Sequence, residues 1–135
     1  MIGLVSGTHA KHDKAMKAGD LYRSPLFILS RRYVEKHCDD WGILSAKHGL
    51  LDPEMIIEPY FQALQEMRPM DRARWARSVR GQIIDRWGSS TIFMVFAGKH
   101  YRPAIQGLQI IDPLEGVRSI HHPAHLRRML DEEKS

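Results

Sequence analysis

The chain has 135 residues, 43% of them hydrophobic and 27% charged, enough for one sizeable core and short of what two domains usually need. No apolar run approaches the ~20 residues of a membrane-spanning helix, the apolar start at residues 2–5 is too short and too early for a secretory signal, and the single Cys38 excludes an intrachain disulfide. The expectation is a cytoplasmic protein whose net charge of +4 and pI near 9.4 favour polyanionic or phosphate-bearing partners.

In chain order, residues 2–5 read as a buried strand that leaves into Ser6-Gly7-Thr8. A long loop follows to Ser24, with Lys11, Lys14 and Lys17 among His9 and His12. Loops of that length are usually functional or disordered. No cysteine or carboxylate array completes a site with the two histidines, so no metal is expected. Ser24-Pro25 places an N-cap before a proline at the first helical position. That predicts a helix to about residue 37, with Phe27, Ile28, Tyr33 and Val34 inward. Residues 41–44 read as a second strand, and the polar cluster Ser45-Ala46-Lys47-His48-Gly49 follows it.

Pro53 and Pro59 interrupt the next segment, which predicts an extended stretch to Glu58 and a short helical one at about 60–67. Residues 69–87 carry Met70, Ala73, Ala76, Val79, Ile83 and Trp87 at spacings of three and four, an amphipathic helix. Its polar side holds Arg68, Arg72, Arg74, Arg77, Arg80 and Arg86, either a solvated face or a phosphate-contacting one. The continuous apolar run 91–97 predicts a central parallel strand. A short helix at 103–107, a strand at 108–111 and a last helix at 123–133, with Leu126, Met129 and Leu130 inward, complete the chain. The tail, about 131–135, is expected to fray. The sum is an α/β fold, a single three-layer domain over 1–135 with a mainly parallel sheet of four strands, or slightly more, flanked by helices.

Three strand ends have one character: Ser6-Gly7, Ser45 to Gly49, and Gly98-Lys99-His100-Tyr101-Arg102. In a parallel sheet they share the carboxyl edge, where α/β proteins bind ligands. Small residues permit close backbone approach there, and Lys47, His48, Lys99, His100 and Tyr101 supply positive charge and aromatic faces for an anion or a nucleotide. No GxxxxGK[ST], GxGxxG or GxSxG pattern is present, which argues against phosphate-loop, dinucleotide and serine-elbow chemistry. For acid–base work the candidates are Asp20 and Glu58, each beside a tyrosine. Asp20 reads equally as a cap on the turn before Ser24.

The motifs GDLYRSPLF (19–27), WGILSAKHGLLDP (41–53), EPY (58–60) and AGKHYRPAI (97–105) together resemble an uncharacterised bacterial and phage domain family with the pattern DLY-S-LF, ILSAK-GL, PY and AG--Y. That family looks distantly similar to the YaaA peroxide-stress proteins, described as DNA-binding, and to the part of archaeosine synthase that acts on a modified base in transfer RNA. The resemblance spans about residues 2–110. Where the family often has a Cys-Ser-x-x-Lys-like stretch after the first strand, this chain reads Ser6-Gly7-Thr8-His9-Ala10-Lys11, so no cysteine acts there. The resemblance implies a base or nucleotide pocket lined by Ser6, Asp20, Tyr22, Ser24, Ser45, Lys47, His48, Tyr60, Gly98 and Tyr101.

The expected function is therefore base processing in nucleic acid, led by a DNA glycosylase that hydrolyses the N-glycosidic bond of a modified base, in a role such as defence against phage DNA. Asp20 or Glu58 activates water or stabilises the sugar cation in this reading. Lys47 stabilises the leaving base or attacks the sugar as an amine. Tyr22, Tyr60 or Tyr101 sandwiches the flipped base, with Ser6, Ser24, Ser45, His48 and Gly98 around it. Lys11, Lys99, Arg102, Arg72, Arg74, Arg77 and Arg80 contact the DNA backbone. No cofactor and no membrane are involved, and the oligomeric state stays open. A non-catalytic DNA-binding module and an enzyme on free nucleotides are the alternatives.

Overall fold

A computed structural model describes residues 1–133. In chain order the elements are β1 (Ile2–Ser6), β2 (Met16–Lys17), α1 (Ala18–Leu21), α2 (Pro25–His37), β3 (Asp40–Ser45), β4 (Gly49–Leu51), β5 (Ile56–Ile57), α3 (Pro69–Trp87), β6 (Ile92–Phe96), β7 (Gln109–Ile111) and α4 (His122–Glu132). Five strands form a mostly parallel sheet in the order β4-β3-β1-β6-β7, with only β4 antiparallel. The four predicted parallel strands are all present. The fifth, β4, folds back on β3 so that Ser45 pairs with Gly49, whose φ of 71° suits a residue without a side chain.

Side chains alternate along each parallel strand. Val5, Ile43, Met94 and Phe96 point to one cluster with Phe27, Leu29, Tyr33 and Val34 of α2 and Leu126 and Leu130 of α4. Leu4, Leu44, Phe93 and Val95 point to another with Trp75, Ala76, Val79 and Ile83 of α3. Both faces of the sheet are thus covered, which is why these strands read as continuous apolar runs rather than alternating ones.

The helices begin where the sequence signals put them. Ser24 Oγ accepts the Phe27 N–H, and Pro25 occupies the first helical position of α2. Two inward stripes need correction. Ile28 is exposed on α2 while Leu29 and Ser30 are buried, and on α3 Met70 and Ala73 face out while Trp75 is buried. The α3 stripe is rotated because the Trp75 indole turns inward to donate to the Ser45 carbonyl at 2.9 Å. The segment near 60–67 holds only a 3-10 turn, Leu64–Glu66.

The first loop is tied down at several points. Lys11 bridges Tyr22, His12 N–H donates to the Leu21 carbonyl, and β2 pairs with β5. The tail is ordered as far as Glu133, whose carboxylate meets Lys36 and His37 at 2.9 and 2.8 Å. Residues 134 and 135 of the expected frayed tail lie outside the described residues. No helix among the described residues is long and apolar enough to cross a membrane.

Candidate functional site

The connection after β1 leads to β3 on one side, and the chain then crosses β1 to place β6 on its other side. The boundary between β1 and β6 is a topological switch point, where open α/β sheets leave a crevice at the strand carboxyl ends. A cavity of about 420 Å³ lies there, within the range of small-molecule sites. Val5, Ser6 and Thr8 come from the end of β1, and Phe96, Ala97 and Gly98 from the end of β6. Leu26, Phe27 and Ser30 of α2 form one wall, and the segment from Asp112 to His122 forms another.

The cavity has an apolar body and a polar margin. Ser6 Oγ accepts the Gly98 N–H at 3.3 Å, and Thr8 Oγ1 accepts from Ser24 Oγ at 3.0 Å, so each hydroxyl keeps its own proton to donate. His122 Nε2 lies 2.7 Å from the Val117 carbonyl, an acceptor only, which fixes the proton on that nitrogen. The Arg102 guanidinium is spent on the wall: Nε donates to the Ala97 carbonyl and Nη1 meets Asp112 at 2.7 Å. The backbone contact expected of Arg102 would therefore be made by a guanidinium already paired with Asp112.

Beside the cavity, over the ends of β1 and β3, the residues of the ILSAKHG stretch form a different structure. Tyr22 and Tyr60 join their phenol oxygens at 2.6 Å, Ser45 Oγ donates to Tyr60 at 2.9 Å, and the His48 N–H donates to Ser45 Oγ at 3.0 Å. Ser45 is fully buried, and Tyr22 and Tyr60 are 2% and 5% exposed. Gly7 permits this packing, since a Cβ there would stand 2.8–2.9 Å from the Tyr22 ring and hydroxyl. Lys11 Nζ sits 4.5 Å above the Tyr60 ring, and burial lowers its pKa.

Burial raises the pKa of all three tyrosines at this edge. Tyr22 is raised further by Tyr60, and Tyr101 is pushed up to about 12. The phenols therefore stay neutral and act as hydrogen-bonding groups. Three hydroxyl protons share two oxygen–oxygen contacts, so one phenolic O–H remains to donate elsewhere. Tyr101 packs edge-on against Trp75 at 5.5 Å.

These positions narrow the stacking expectation to Tyr101. Tyr22 already packs on Phe27 at 4.6 Å and Tyr60 meets the edges of Tyr22 and His48, so the buried rings of Tyr22 and Tyr60 present no free face to a base. Asp20 does not cap the turn before Ser24; its carboxylate is held by Arg31 Nη1 at 2.6 Å. Glu58 is exposed, and Lys47 is exposed on the β3–β4 turn. None of Asp20, Glu58 and Lys47 lines the cavity. Of the expected pocket residues, Ser6 and Gly98 line it directly, and Ser24 supports Thr8 from behind.

On α3, Arg74 meets Asp71 at 3.9 Å, while Arg72, Arg77 and Arg80 have no ion pair among the described residues. Arg80 reaches the turn at Gly107, so this basic face runs toward the groove lined by Lys99 and Arg102. The sequence reading missed Thr8, Phe27, Ser30, Phe96, Asp112, Glu115 and His122 as cavity residues. The buried Ser30 in the middle of α2 was the one available signal. No group of three His, Cys, Asp or Glu side chains among the described residues is placed to share a metal ion.

The chain matches, over residues 2–128, the model of a family described as "Family of unknown function (DUF6884)". It is also similar to the uncharacterized protein YfjM of Bacillus subtilis (strain 168), 43% identical over 42 residues, a stretch covering 31% of this chain and 28% of that protein. No solved structure matches it. Matched from β1 well into α4, the chain belongs to the DUF6884 family.

Proposed function

We propose that this protein is a nucleic-acid base-processing enzyme of the cytoplasm, a DNA glycosylase that hydrolyses the N-glycosidic bond of a modified base. The observation that carries the reading is the switch-point cavity, apolar in body and ringed by hydroxyls at the carboxyl edge of the sheet. A planar base taken out of the helix needs such a pocket: apolar contacts for its faces and a few hydrogen-bonding groups for its edge. Arg72, Arg77 and Arg80, without an ion pair among the described residues, and the exposed Lys99 suit the phosphate backbone. The likeness of its motifs to YaaA and to archaeosine synthase belongs to this proposal, as does the reading of the fold as one three-layer domain. No cofactor is required, because water is the second substrate.

The test is to incubate the protein with cellular DNA and with phage DNA carrying modified bases, then to look for abasic sites and free bases by mass spectrometry. Released base with matching abasic sites is the expected result. Failure to release a base from any DNA or RNA sinks the glycosylase. A second reading, a DNA-binding module without catalysis, is favoured by the Asp20–Arg31 ion pair, which removes one expected catalytic carboxylate. In that case, replacing Arg72, Arg74, Arg77 and Arg80 lowers DNA affinity and flattens its salt dependence, with no reaction to lose.

A further inference from the structure

Ser30 sits in the second turn of α2 with 1% exposure and lines the cavity. Its Oγ is the only buried side-chain nitrogen or oxygen among the described residues that finds no hydrogen-bond partner. A helical serine ordinarily satisfies itself on the carbonyl one turn back or faces solvent, and Ser30 does neither. Buried polar atoms are paired in all but a few cases, and an exception calls for a cause. Ser30 shares the cavity lining with Val5, Phe27 and Phe96 and with the hydroxyl-bearing Ser6 and Thr8.

At the mouth of the same cavity, Glu115 follows the Asp112-Pro113 turn, held there by its own N–H to the Asp112 carbonyl at 3.0 Å. Its carboxylate has no hydrogen bond or ion pair among the described residues. Asp112, the other carboxylate of the cavity, is neutralised by Arg102. The cavity lining therefore includes the exposed Glu115, a carboxylate without an ion pair among the described residues, together with several hydroxyls and apolar walls.

We propose that this cavity is the base pocket, that Ser30 Oγ hydrogen-bonds a polar atom on the edge of the base, and that Glu115 is the carboxylate that activates water; this rests on the glycosylase reading above. The base lies in the apolar body lined by Phe27, Phe96 and Leu114, with Ser6, Thr8 and Ser30 as donors to its acceptors. In the reaction the C1′–N bond breaks and a C1′–O bond forms to water. One water proton passes to Glu115 and from there to the departing nitrogen, giving free base and a sugar hemiacetal. Atoms and electrons balance without an oxidant or a further reactant. Asp20 and Glu58 are spectators in this scheme, the first as the partner of Arg31.

Two measurements on the full chain test it. Amide and methyl NMR spectra are recorded with deoxyadenosine, deoxyguanosine, deoxycytidine, thymidine and 5-hydroxymethyldeoxycytidine, for wild type and Ser30→Ala. Base release from DNA is measured for wild type and Glu115→Gln, with DNA affinity in parallel. The expected result is that at least one nucleoside shifts Val5, Phe27 and Phe96, that Ser30→Ala weakens it about tenfold, and that Glu115→Gln lowers release at least about a hundredfold with DNA affinity held. Nucleosides that leave the cavity signals unmoved overturn the pocket. Release by Glu115→Gln at the wild-type rate overturns the role of Glu115 and leaves the glycosylase standing. Binding in the cavity with no release by the wild type sinks the glycosylase and Glu115 together, and keeps the Ser30 pocket. Ser30→Ala removes one atom from a partnerless group, so loss of the fold does not confound it.

Discussion

Two neighbouring regions share the carboxyl edge of the sheet and have opposite hydrogen-bond accounts. Over β1 and β3, Tyr22, Tyr60, Ser45 and the His48 amide are linked oxygen to oxygen, and the Trp75 indole binds the Ser45 carbonyl from the other side. Over β1 and β6, serine and threonine hydroxyls line a cavity, and Ser30 has no hydrogen-bond partner among the described residues. Both regions are built largely from hydroxyl side chains. In the first region the chain satisfies its own polar groups, and in the second it leaves them to be satisfied from outside. A ligand site is marked by the second condition, because a group already paired must be unpaired before it can bind anything.

The largest expected effect tests whether the closed cluster is structural. Trp75→Ala removes a buried indole from the α3 face and its hydrogen bond to Ser45, at a cost of about 3–5 kcal/mol. Denaturant unfolding with the slope held constant measures it. A loss below about 1 kcal/mol would mean that the cluster does not depend on α3, and the contrast with the cavity would weaken.

A sharper break comes from one substitution made in both regions. Ser45→Ala removes the atom that donates to Tyr60 and accepts from His48, and costs about 1–3 kcal/mol. Ser30→Ala removes an atom that bonds to nothing, so stability stays level or rises by about 1 kcal/mol. The same chemical change at two buried serines is therefore destabilising at one and neutral to stabilising at the other. If Ser30→Ala destabilises as much as Ser45→Ala, Ser30 is paired in solution and the cavity loses its distinguishing feature.

This contrast also explains how much was legible in the residues. The parallel strands, α2, α3 and α4 were readable because their signals are local: continuous apolar runs at 2–5, 41–44 and 91–97, Ser24-Pro25 as a cap, and stripes at helical spacing. The pairing of Met16 with Ile57 and the four-residue helix α1 left no periodic trace, since their stability comes from partners distant in sequence. At the site, Ser6 and Gly98 were legible because a strand end in an α/β sheet has a known destination. The far wall was not. Asp112 to His122 reads as a turn before a helix, and becomes a wall only when α4 packs on α2. The polar richness of Ser45 to Gly49 was visible, but whether those groups face a ligand or one another depends on Tyr60, fifteen residues away from Ser45.

The smallest expected effect concerns charge at the rim of the closed cluster. Partial burial of the ring, which meets Tyr60 edge-on, lowers the His48 pKa from its ordinary 6.5, and neighbouring Lys47 lowers it further. A histidine with a depressed folded pKa favours the folded state while neutral. Its contribution is present above pH 6.5 and is lost as the pH falls from 6.5 through the folded value. The imidazole is exposed, so the stability change is small and the titration itself is the better measurement. The His48 ring signals are expected to titrate with a midpoint below 6.5 in the wild type. Lys47→Met moves that midpoint upward only part of the way, because burial is the larger cause and remains. Full return to 6.5 in Lys47→Met would make charge the whole cause and leave His48 outside the packed cluster. A midpoint that stays low only while Tyr60 is present, and rises in Tyr60→Ala, ties the ring to the closed region and separates it from the cavity where the base is proposed to lie.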